Sequence, residues 1–520
     1  MKSRRLRPFV LLAGLVLVIG AVGSVSPVAA QDRGGLGSDL DGILADPGLA
    51  GADVGLVVRT VGGEIVYQRS SDRRQQPASN AKLVTSAAAM EVLGPDYRFT
   101  TTVASAARQK EDVLDGDLYL KGTGDPTVLA AGYDALAKQV ADKGITFVRG
   151  KLVADDTWFD DTRLGLGWAW DDEPYYYNAQ VSALTAAPDT DYDAGSIVVK
   201  VSPGANGAKA TVTTVPPTGY VTLDSTATTG APGSANTISV DRAHGSNTFT
   251  ITGSIPAGGA ATSEWMAVWE PTGYATALFR DALKAHGVRV AGPTTRGATP
   301  AGATTLATRD SMPLSQFLVP FLKLSNNLHA EILTKAMGRA TAGQGSWTAG
   351  RNAISATLAG FGVQGRLSLV DGSGLSRMDQ IAPDQLAALL AGATSRPWFP
   401  TWFSALPVAG KADRLVGGTL RNRMRGTAAE GAVHAKTGSL TGVSGLSGYV
   451  DTAAGERLVF SMVTNNTIGI DTKKVEDAVA IRLASAGSGA AVARAPQVAP
   501  GERQGANNRA DLECSWVKAC

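Results

Sequence analysis

The sequence predicts an α/β fold of the α+β type, in which a β-rich segment interrupts a domain built from strands and longer helices. Helical patterns occur before residue 100 and again after residue 303, whereas residues 101–300 are rich in Val, Thr, Gly, Ser and Pro with closely spaced turn signals. The length of 520 residues also exceeds what a single core usually occupies. We therefore expect a discontinuous parent domain at residues 31–100 and 300–486, with a β-rich insertion at residues 101–299.

The first part of the parent domain is expected to form a β-hairpin followed by a helix. Residues 52–60 and 64–69 are β-like runs, and the two glycines between them are typical of a hairpin turn. The Ala-, Met- and Leu-rich run at residues 83–93 predicts a helix, which the following Gly-Pro pair would end.

The remaining elements follow the same division. In the insertion we expect short strands and one helix at residues 274–286. The second part of the parent domain should hold four helices, a pair of antiparallel strands and a closing helix. These elements are expected at residues 312–322, 325–337, 347–360, 384–393, 445–450, 458–463 and 472–485.

Both ends of the chain differ in composition from the predicted domains. Residues 1–30 have the pattern of an export signal, with four basic residues, an apolar run and small residues before Gln31. The alternative is an uncleaved membrane anchor, for which the apolar run is short. Residues 487–520 are rich in Ala, Gly, Pro, Gln and Asn, which predicts a disordered tail. We expect Cys514 and Cys520 to form a local disulfide or a link to a partner, without a role in the chemistry.

Composition and charge exclude several classes of function. Apolar residues make up 44% of the chain and charged residues 18%, which is typical of a globular protein. The formal charge of +2 becomes −2 without the four basic residues of the signal, and the sequence has no basic run, so we expect no nucleic-acid binding. The four histidines lack metal-ligand spacing, and the glycine-rich stretches fail as dinucleotide fingerprints, so we expect no metal and no cofactor.

Ser79 and Lys82 are the first residues whose spacing points to chemistry. Positions three apart on a helix share one face, so the hydroxyl and the amine can approach each other. A serine is a weak nucleophile until a base takes its proton, and a lysine whose charged form is disfavoured can be that base. The same spacing also occurs by chance in many helices, so the pair alone predicts little.

Ser325 and Asn327 form a Ser-x-Asn element that opens a predicted helix after an apolar run. The serine can relay a proton, and the asparagine can orient Lys82 and hold a substrate amide. Ser and Asn are also favourable helix caps. The capping and the catalytic interpretations are compatible.

Lys436, Thr437, Gly438 and Ser439 form a Lys-Thr-Gly element followed by a strand pattern. The lysine places positive charge near Lys82, and the hydroxyls can bind a substrate carboxylate. The glycine lets a substrate backbone lie against the strand edge, because it has no side chain. The alternative is an ordinary strand with a surface lysine.

The three elements occur in the order found in penicillin-recognising serine enzymes. Four further stretches resemble the class C penicillin-binding proteins, which are the D-alanyl-D-alanine carboxypeptidase/endopeptidase family. They are PASNAKL at 77–83, GTGDP at 122–126, YNAQVSAL at 177–184 and DGSGLS at 371–376. The similarity covers roughly residues 36–485. The resemblance implies a transpeptidase/β-lactamase-like domain with a five-stranded antiparallel sheet and helices, and a large insertion between the first two motifs.

The resemblance also implies a mechanism. Ser79 would attack the penultimate D-Ala carbonyl of a peptidoglycan stem peptide while Lys82 takes its proton. Ser325 and Asn327 would assist proton transfer to the leaving amine. Water would then release the acyl-enzyme, which makes the chain a serine-type carboxypeptidase or endopeptidase.

The same resemblance implies how substrate and inhibitors are held. Lys436 and Thr437 would steer the terminal carboxylate, and the backbone N–H groups of Ser79 and Ser439 would form the oxyanion hole. β-Lactam antibiotics would be covalent inhibitors, and the enzyme would act outside the cytoplasm, associated with the cell wall. Tyr177 departs from the family pattern, since many relatives carry Trp there.

Residues 155–161 contain four aspartates around Trp158 and Phe159. A solvated acidic turn is the simpler interpretation. The alternative hypothesis is that Trp158 and Asp161 reach over the site and bind the ammonium group of a diamino-acid side chain in the substrate.

Two other functions remain open at this point. A β-lactamase of class A needs a deacylating Glu, commonly four residues before an Asn. Between Ser325 and Lys436 the sequence has Glu331 and Glu430, and neither has Asn four residues later. A non-catalytic cell-wall binding protein on an inactive enzyme fold is the other alternative, and the complete set of motifs argues against it. The oligomeric state is left open.

Overall fold

The structure is a computed structural model that describes residues 35–365, 367–467, 471–487 and 518. The predicted signal and the cysteine pair lie outside the described residues. The helices of the described part are α1 (Leu36–Leu44), α2 (Ala81–Val92), α3 (Ala130–Ala141), α4 (Pro271–Ala285), α5 (Leu314–Lys323), α6 (Asn327–Ala342), α7 (Trp347–Leu358), α8 (Pro383–Ala393), α9 (Phe399–Ser404), α10 (Arg414–Gly417) and α11 (Lys473–Ala484). Among these described residues, no helix has the length and apolar character needed to span a membrane.

The strands fall into an early group, a middle group and a late group. The early strands are β1 (Asp53–Thr60), β2 (Ile65–Arg69), β3 (Thr100–Ser105), β4 (Gln109–Lys110), β5 (Val113–Leu114), β6 (Leu118–Gly122), β7 (Phe147–Val148) and β8 (Leu152–Asp155). The middle strands are β9 (Ser196–Ser202), β10 (Thr211–Val215), β11 (Thr222–Ser225), β12 (Thr228–Gly230), β13 (Ser239–Arg242), β14 (Thr248–Thr252), β15 (Ser254–Pro256) and β16 (Thr262–Ala267). The late strands are β17 (Arg289–Val290), β18 (Thr294–Arg296), β19 (Thr304–Asp310), β20 (Val433–Leu440), β21 (Val443–Asp451) and β22 (Arg457–Asn465).

The central sheet joins strands from both ends of the chain. Its order is β2-β1-β22-β21-β20, and every neighbouring pair is antiparallel. This confirms the predicted five-stranded antiparallel sheet. Apolar residues of α1 and α11, such as Leu40 and Val479, pack on one face of the sheet with Leu56 and Phe460. The other face supports the helices that carry the site.

The second helical layer is built around α2. Ten consecutive residues of α2, from Ala81 to Met90, are buried. Its neighbours are α5, α6, α7 and α8. The helices α6 and α7 approach closely, since a Cβ on Gly350 would lie 2.0 Å from the carbonyl oxygen of Thr334. The small residues of α2 and this glycine therefore allow tight packing around the buried α2.

The inserted segment forms its own sheets. In the described part of the chain, all strands from β3 to β19 pair with one another and none pairs with the central sheet. The strand β19 pairs antiparallel with β3, with Asp310 opposite Thr100. By strand pairing the segment therefore ends near Asp310, about ten residues later than the sequence predicts, because β17, β18 and β19 return to its sheets. It also contains α3, which the sequence did not indicate.

Candidate active site

The candidate nucleophile lies at the entrance to α2. Ser79 is part of a short 3-10 turn, Ala78–Asn80, and is fully buried. Ala78 has a φ of 46°, a left-handed conformation that a non-glycine residue adopts at a cost. Gly374 packs against this turn, and a Cβ there would lie 1.9 Å from the Ala78 carbonyl oxygen. The loop carrying Gly374 therefore holds the turn that presents Ser79.

Lys82 lies three residues later, in the first turn of α2. Its Nζ is 2.7 Å from Ser79 Oγ, 2.7 Å from Asn327 Oδ1 and 2.9 Å from the Ser373 carbonyl oxygen. The amide oxygen and the carbonyl oxygen are acceptors, so in the neutral amine they take its two N–H groups. The nitrogen lone pair then faces the Ser79 hydroxyl, which is the geometry that a general base requires.

The Ser-x-Asn element connects Lys82 to the inserted segment. Ser325 has a φ of 59°, and its hydroxyl is buried just before α6 begins at Asn327. The Asn327 side chain accepts from Lys82 and donates to the carbonyl oxygen of Tyr177 at 2.7 Å. The cap of α6 is Asn326, whose side chain accepts from the His329 backbone N–H. Capping and site geometry therefore use adjacent residues, with Asn326 as the cap and Asn327 in the site.

The Lys-Thr-Gly element forms part of the edge strand β20. Lys436 Nζ donates to Ser325 Oγ at 2.7 Å and to the Thr437 carbonyl oxygen at 2.8 Å. Thr437 Oγ1 donates to Thr419 Oγ1 at 2.8 Å. A Cβ on Gly438 would lie 2.8 Å from the Pro77 carbonyl oxygen, so the strand runs directly against the turn of Ser79.

The structure thus brings together the six catalytic-motif side chains that the sequence predicted. They are Ser79, Lys82, Ser325, Asn327, Lys436 and Thr437, and all are buried. Ser439 is also buried, on the same strand three residues after Lys436. The prediction that the backbone N–H groups of Ser439 and Ser79 form the oxyanion hole stands as a prediction.

A buried acidic cluster of Glu331, Asp371 and Asp379 binds the loop that contacts Lys82. The sequence did not indicate this role. Glu331 accepts hydrogen bonds from the backbone N–H groups of Gly372 and Ser373 at 2.9 and 2.8 Å, and from the Trp347 indole at 2.7 Å. The Ser373 carbonyl, in turn, bonds Lys82. Glu331 therefore fixes the peptide that positions the base.

Two aspartates complete this cluster. Asp371 accepts from the backbone N–H groups of Gly374 and Ser376 and so fixes the loop. Burial raises the pKa of Asp379 well above its usual range, and the nearby Asp371 carboxylate raises it further. Burial and the same carboxylate raise the pKa of Glu331 to about 7, against the effect of its three N–H donors.

Trp158 and Asp161 lie away from this centre. The Trp158 ring is covered by the guanidinium of Arg339, 4.3 Å from the ring centroid, in the last turn of α6. This 16-residue helix begins at Asn327, so its ends are about 24 Å apart. The Asp161 side chain is 85% exposed and pairs with Arg296 at 2.6 Å. These contacts place Trp158 at the last turn of α6 and Asp161 beside β18, and the binding of a substrate ammonium group by the two residues stays a prediction.

Comparisons with known proteins agree with this geometry. Residues 36–486 match the model of the D-Ala-D-Ala carboxypeptidase 3 (S13) family. The chain is 48% identical to a D-alanyl-D-alanine carboxypeptidase of Actinomadura sp. (strain R39) over 511 residues, which is 95% of this chain and 93% of the relative.

Solved structures show the same fold. Penicillin binding protein 4 of Haemophilus influenzae matches with a TM-score of 0.74 and 25% identity, over 86% of this chain and 98% of that chain. Its complex with a β-lactam matches with a TM-score of 0.68 and 24% identity, over the same shares of the two chains. These matches confirm the resemblance to class C penicillin-binding proteins. Since the family model and the 48% identical relative extend over nearly all of the sequence, the chain belongs to the D-Ala-D-Ala carboxypeptidase 3 (S13) family and is a hydrolase.

Proposed function

We propose that the protein removes the terminal D-Ala from peptidoglycan stem peptides through an acyl-enzyme on Ser79. The observation that carries this proposal is the 2.7 Å contact between Lys82 Nζ and Ser79 Oγ in a buried site. A neutral lysine at this distance can accept the hydroxyl proton as the oxygen attacks.

The proposed acylation follows the hydrogen bonds of the site. Ser79 Oγ forms a bond to the penultimate D-Ala carbonyl carbon, and Lys82 takes the proton. The tetrahedral intermediate collapses, the C–N bond to the terminal D-Ala breaks, and the leaving nitrogen needs one proton. Ser325 can deliver it, because its oxygen accepts from Lys436 at 2.7 Å and its own O–H is left to donate. The proton held by Lys82 then replaces the one that Ser325 has given, so Lys82 is again the neutral base for the second step. Water then attacks the ester and regenerates Ser79.

We propose that residues of strand β20 orient the substrate. Lys436 and Thr437 offer a charge and a hydroxyl for the terminal carboxylate, at the edge of the central sheet. An endopeptidase reaction needs the same steps with a leaving amine that belongs to a neighbouring stem peptide. Since peptidoglycan lies outside the cytoplasmic membrane, the proposal includes export directed by residues 1–30.

We propose that β-lactams acylate Ser79 and that the resulting acyl-enzyme is hydrolysed slowly. In class A β-lactamases a Glu supports deacylation. Here the two carboxylate oxygens of Glu331 accept from Gly372, Ser373 and Trp347. This carboxylate is engaged in holding the loop, so it is unsuited to activating water, and the β-lactamase alternative loses its candidate base.

Acylation by a fluorescent penicillin, with mass mapping of the labelled peptide, tests the proposal. We expect one adduct on Ser79 in the wild type and none in Ser79→Ala. Ser86→Ala, on the same helix, is the matched control and should keep the adduct. Release of D-Ala from a diacyl-D-Ala-D-Ala peptide should follow the same pattern. Equal labelling of Ser79→Ala, or no labelling of the folded wild type, would contradict the proposal and favour a non-catalytic protein.

A further inference from the structure

A second polar site lies beside the catalytic centre, and it already holds an ammonium group. Lys518 Nζ is 2.7 Å from Asp193 Oδ2 and 3.0 Å from Asp191 Oδ2. It also lies 4.5 Å from the ring centroid of Tyr176 and 4.7 Å from that of Trp265. Two carboxylates and two aromatic rings around one ammonium group form a cation cage, the name used below for these four residues.

The cage is built into the fold. The Asp193 side chain is 9% exposed, and its other oxygen accepts from Asn326 at 2.9 Å. Asp191 is held by the guanidinium of Arg414. The Trp265 indole donates to Asp189 at 2.9 Å. Each of the two carboxylates and the indole is therefore fixed by a partner outside the cage, so these three groups are preorganised.

The electrostatics favour a charged amine. Burial raises the pKa of Asp193 to about 6, with Lys518 acting in the opposite direction. Burial lowers the pKa of Lys518, but the two aspartates outweigh it and raise the pKa above its usual value. Asp189, Asp191 and Asp193 also lie close enough to share a metal ion. Aromatic rings supply no oxygen ligand, however, and they suit an ammonium group better than a hard cation.

The position of the cage matters for access to Ser79. Asn326, which holds Asp193, lies between the two residues of the Ser-x-Asn element. Tyr176 and Trp265 belong to an apolar cluster with Ala78 and Leu440. Those two residues directly precede Ser79 and directly follow Ser439. An ammonium group bound in the cage is therefore next to the residues that flank Ser79 and Ser439.

We propose that the cation cage is a binding site for a primary ammonium group, that Lys518 occupies it in the intact chain, and that this contact slows the access of substrates to Ser79. The part that concerns access rests on the proposed acylation of Ser79.

Acylation rates of tail variants test the inference. Lys518→Ala should be acylated by a fluorescent penicillin about tenfold faster than the wild type, since losing one charge-assisted hydrogen bond shifts an equilibrium by about that factor. Arg509→Ala removes one positive charge from the same stretch of sequence and is the matched control. It should be acylated at the wild-type rate. A wild-type rate for Lys518→Ala would overturn the inference.

A competition experiment tests the chemistry of the cage. Nα-acetyl-lysine amide in excess should displace Lys518 and accelerate acylation of the wild type towards the rate of Lys518→Ala. It should leave Lys518→Ala itself unchanged, and Nα,Nε-diacetyl-lysine amide should have no effect on either protein. Equal stimulation by both compounds, or stimulation by Ca²⁺ in place of the amine, would overturn the assignment of an ammonium site.

The two proposals fail in different ways. If no protein is acylated, the proposed function fails, while binding of Nα-acetyl-lysine amide to Lys518→Ala can still be measured by calorimetry. That binding should disappear when Trp265→Leu is added to Lys518→Ala. If acylation proceeds but the calorimetric signal is absent, the cage is wrong and the proposed function stands.

Discussion

The parent domain and the inserted segment contribute to the active site in different ways. The parent domain supplies the side chains that would meet the substrate, such as Ser79, Lys82 and Lys436, and all of them are buried. The inserted segment supplies groups that bind residues next to those side chains. The Tyr177 carbonyl accepts from Asn327, and the Trp168 indole donates to Asp371 at 2.8 Å.

This difference shows that the insertion takes part in the active site through hydrogen bonds to residues of the parent domain. A side chain that reacts must sit within about 3 Å of its partner, and it keeps that position when packing and hydrogen bonds around it are complete. The parent domain is therefore expected to set the rate of the chemistry, and the insertion to set its precision and stability. Four variants test this division.

Lys82→Met should have the largest effect. Removing the general base should lower kcat/KM for D-Ala release by about 10³-fold or more. Lys335→Met is the contrasting control, because Lys335 is equally buried but pairs with Asp160 of the insertion, 2.6 Å away. It should lower the melting temperature while the folded fraction still acylates. Similar loss of acylation in both variants would show that burial of a lysine, and not its contact with Ser79, matters.

The same division explains what the sequence could predict. Ser79 and Lys82 are three residues apart, and the Lys-Thr-Gly element is contiguous, so local spacing identified them. The Tyr177 carbonyl is a backbone group in a different segment, and such groups carry no signal in the sequence. Glu331 was noted as an unsuitable deacylating residue, but its contact with the loop at Ser373 spans 42 positions and depends on the fold.

The sequence did not predict the domain of a strand whose place is set by pairing with a distant part of the chain. The hairpin and the helices of the parent domain follow local periodicity, and all are present. The strand β19 was assigned to the parent domain by position, yet it pairs with β3, about 200 residues earlier in the chain. Trp158 and Asp161 were grouped with the site on composition alone, and composition contains no information about which elements their side chains contact.

Arg242→Met should have the next largest effect and should act within the insertion. Arg242 is 1% exposed, and its guanidinium bonds the carboxylate and the carbonyl of Glu173. Breaking a buried pair leaves an uncompensated charge, which costs about 3–5 kcal/mol of unfolding free energy. Hydrogen exchange should accelerate in β13 and β14 and change little in β21. Equal acceleration in β21 would show that the two regions unfold as one unit.

Glu331→Gln should have an intermediate effect on chemistry. The amide can accept at one position only, so either Gly372 or Ser373 loses its acceptor and the carbonyl that holds Lys82 shifts. We expect kcat to fall about 10- to 100-fold with KM changed little, the range of a misplaced catalytic group. Glu476→Gln is the matched control, since Glu476 is also buried but bonds Arg423 and Ser444. A rise in KM without a change in kcat would argue against positioning.

His329→Gln should have the smallest effect, and the effect should depend on pH. His329 is fully buried, its ring stacks on Phe317 at 4.4 Å, and its Nε2 bonds the Tyr192 carbonyl. Burial lowers the pKa of His329 to about 3, so the folded state keeps the ring neutral while the unfolded chain binds a proton near its usual pKa of 6.5. Between these values the unfolded state holds more protons, and stability falls as the pH falls.

The size of this effect follows from the two pKa values. At pH 5 the wild type should be about 2 kcal/mol less stable than at pH 7 because of this one ring. Glutamine cannot bind the proton, so the loss between pH 7 and pH 5, measured by urea unfolding, should be smaller in His329→Gln by about that amount. His286→Gln, beside Asp134 in the insertion, is the control on the other region. If both variants lose the same stability on acidification as the wild type, the acid sensitivity does not arise from the histidine that joins the insertion to α6.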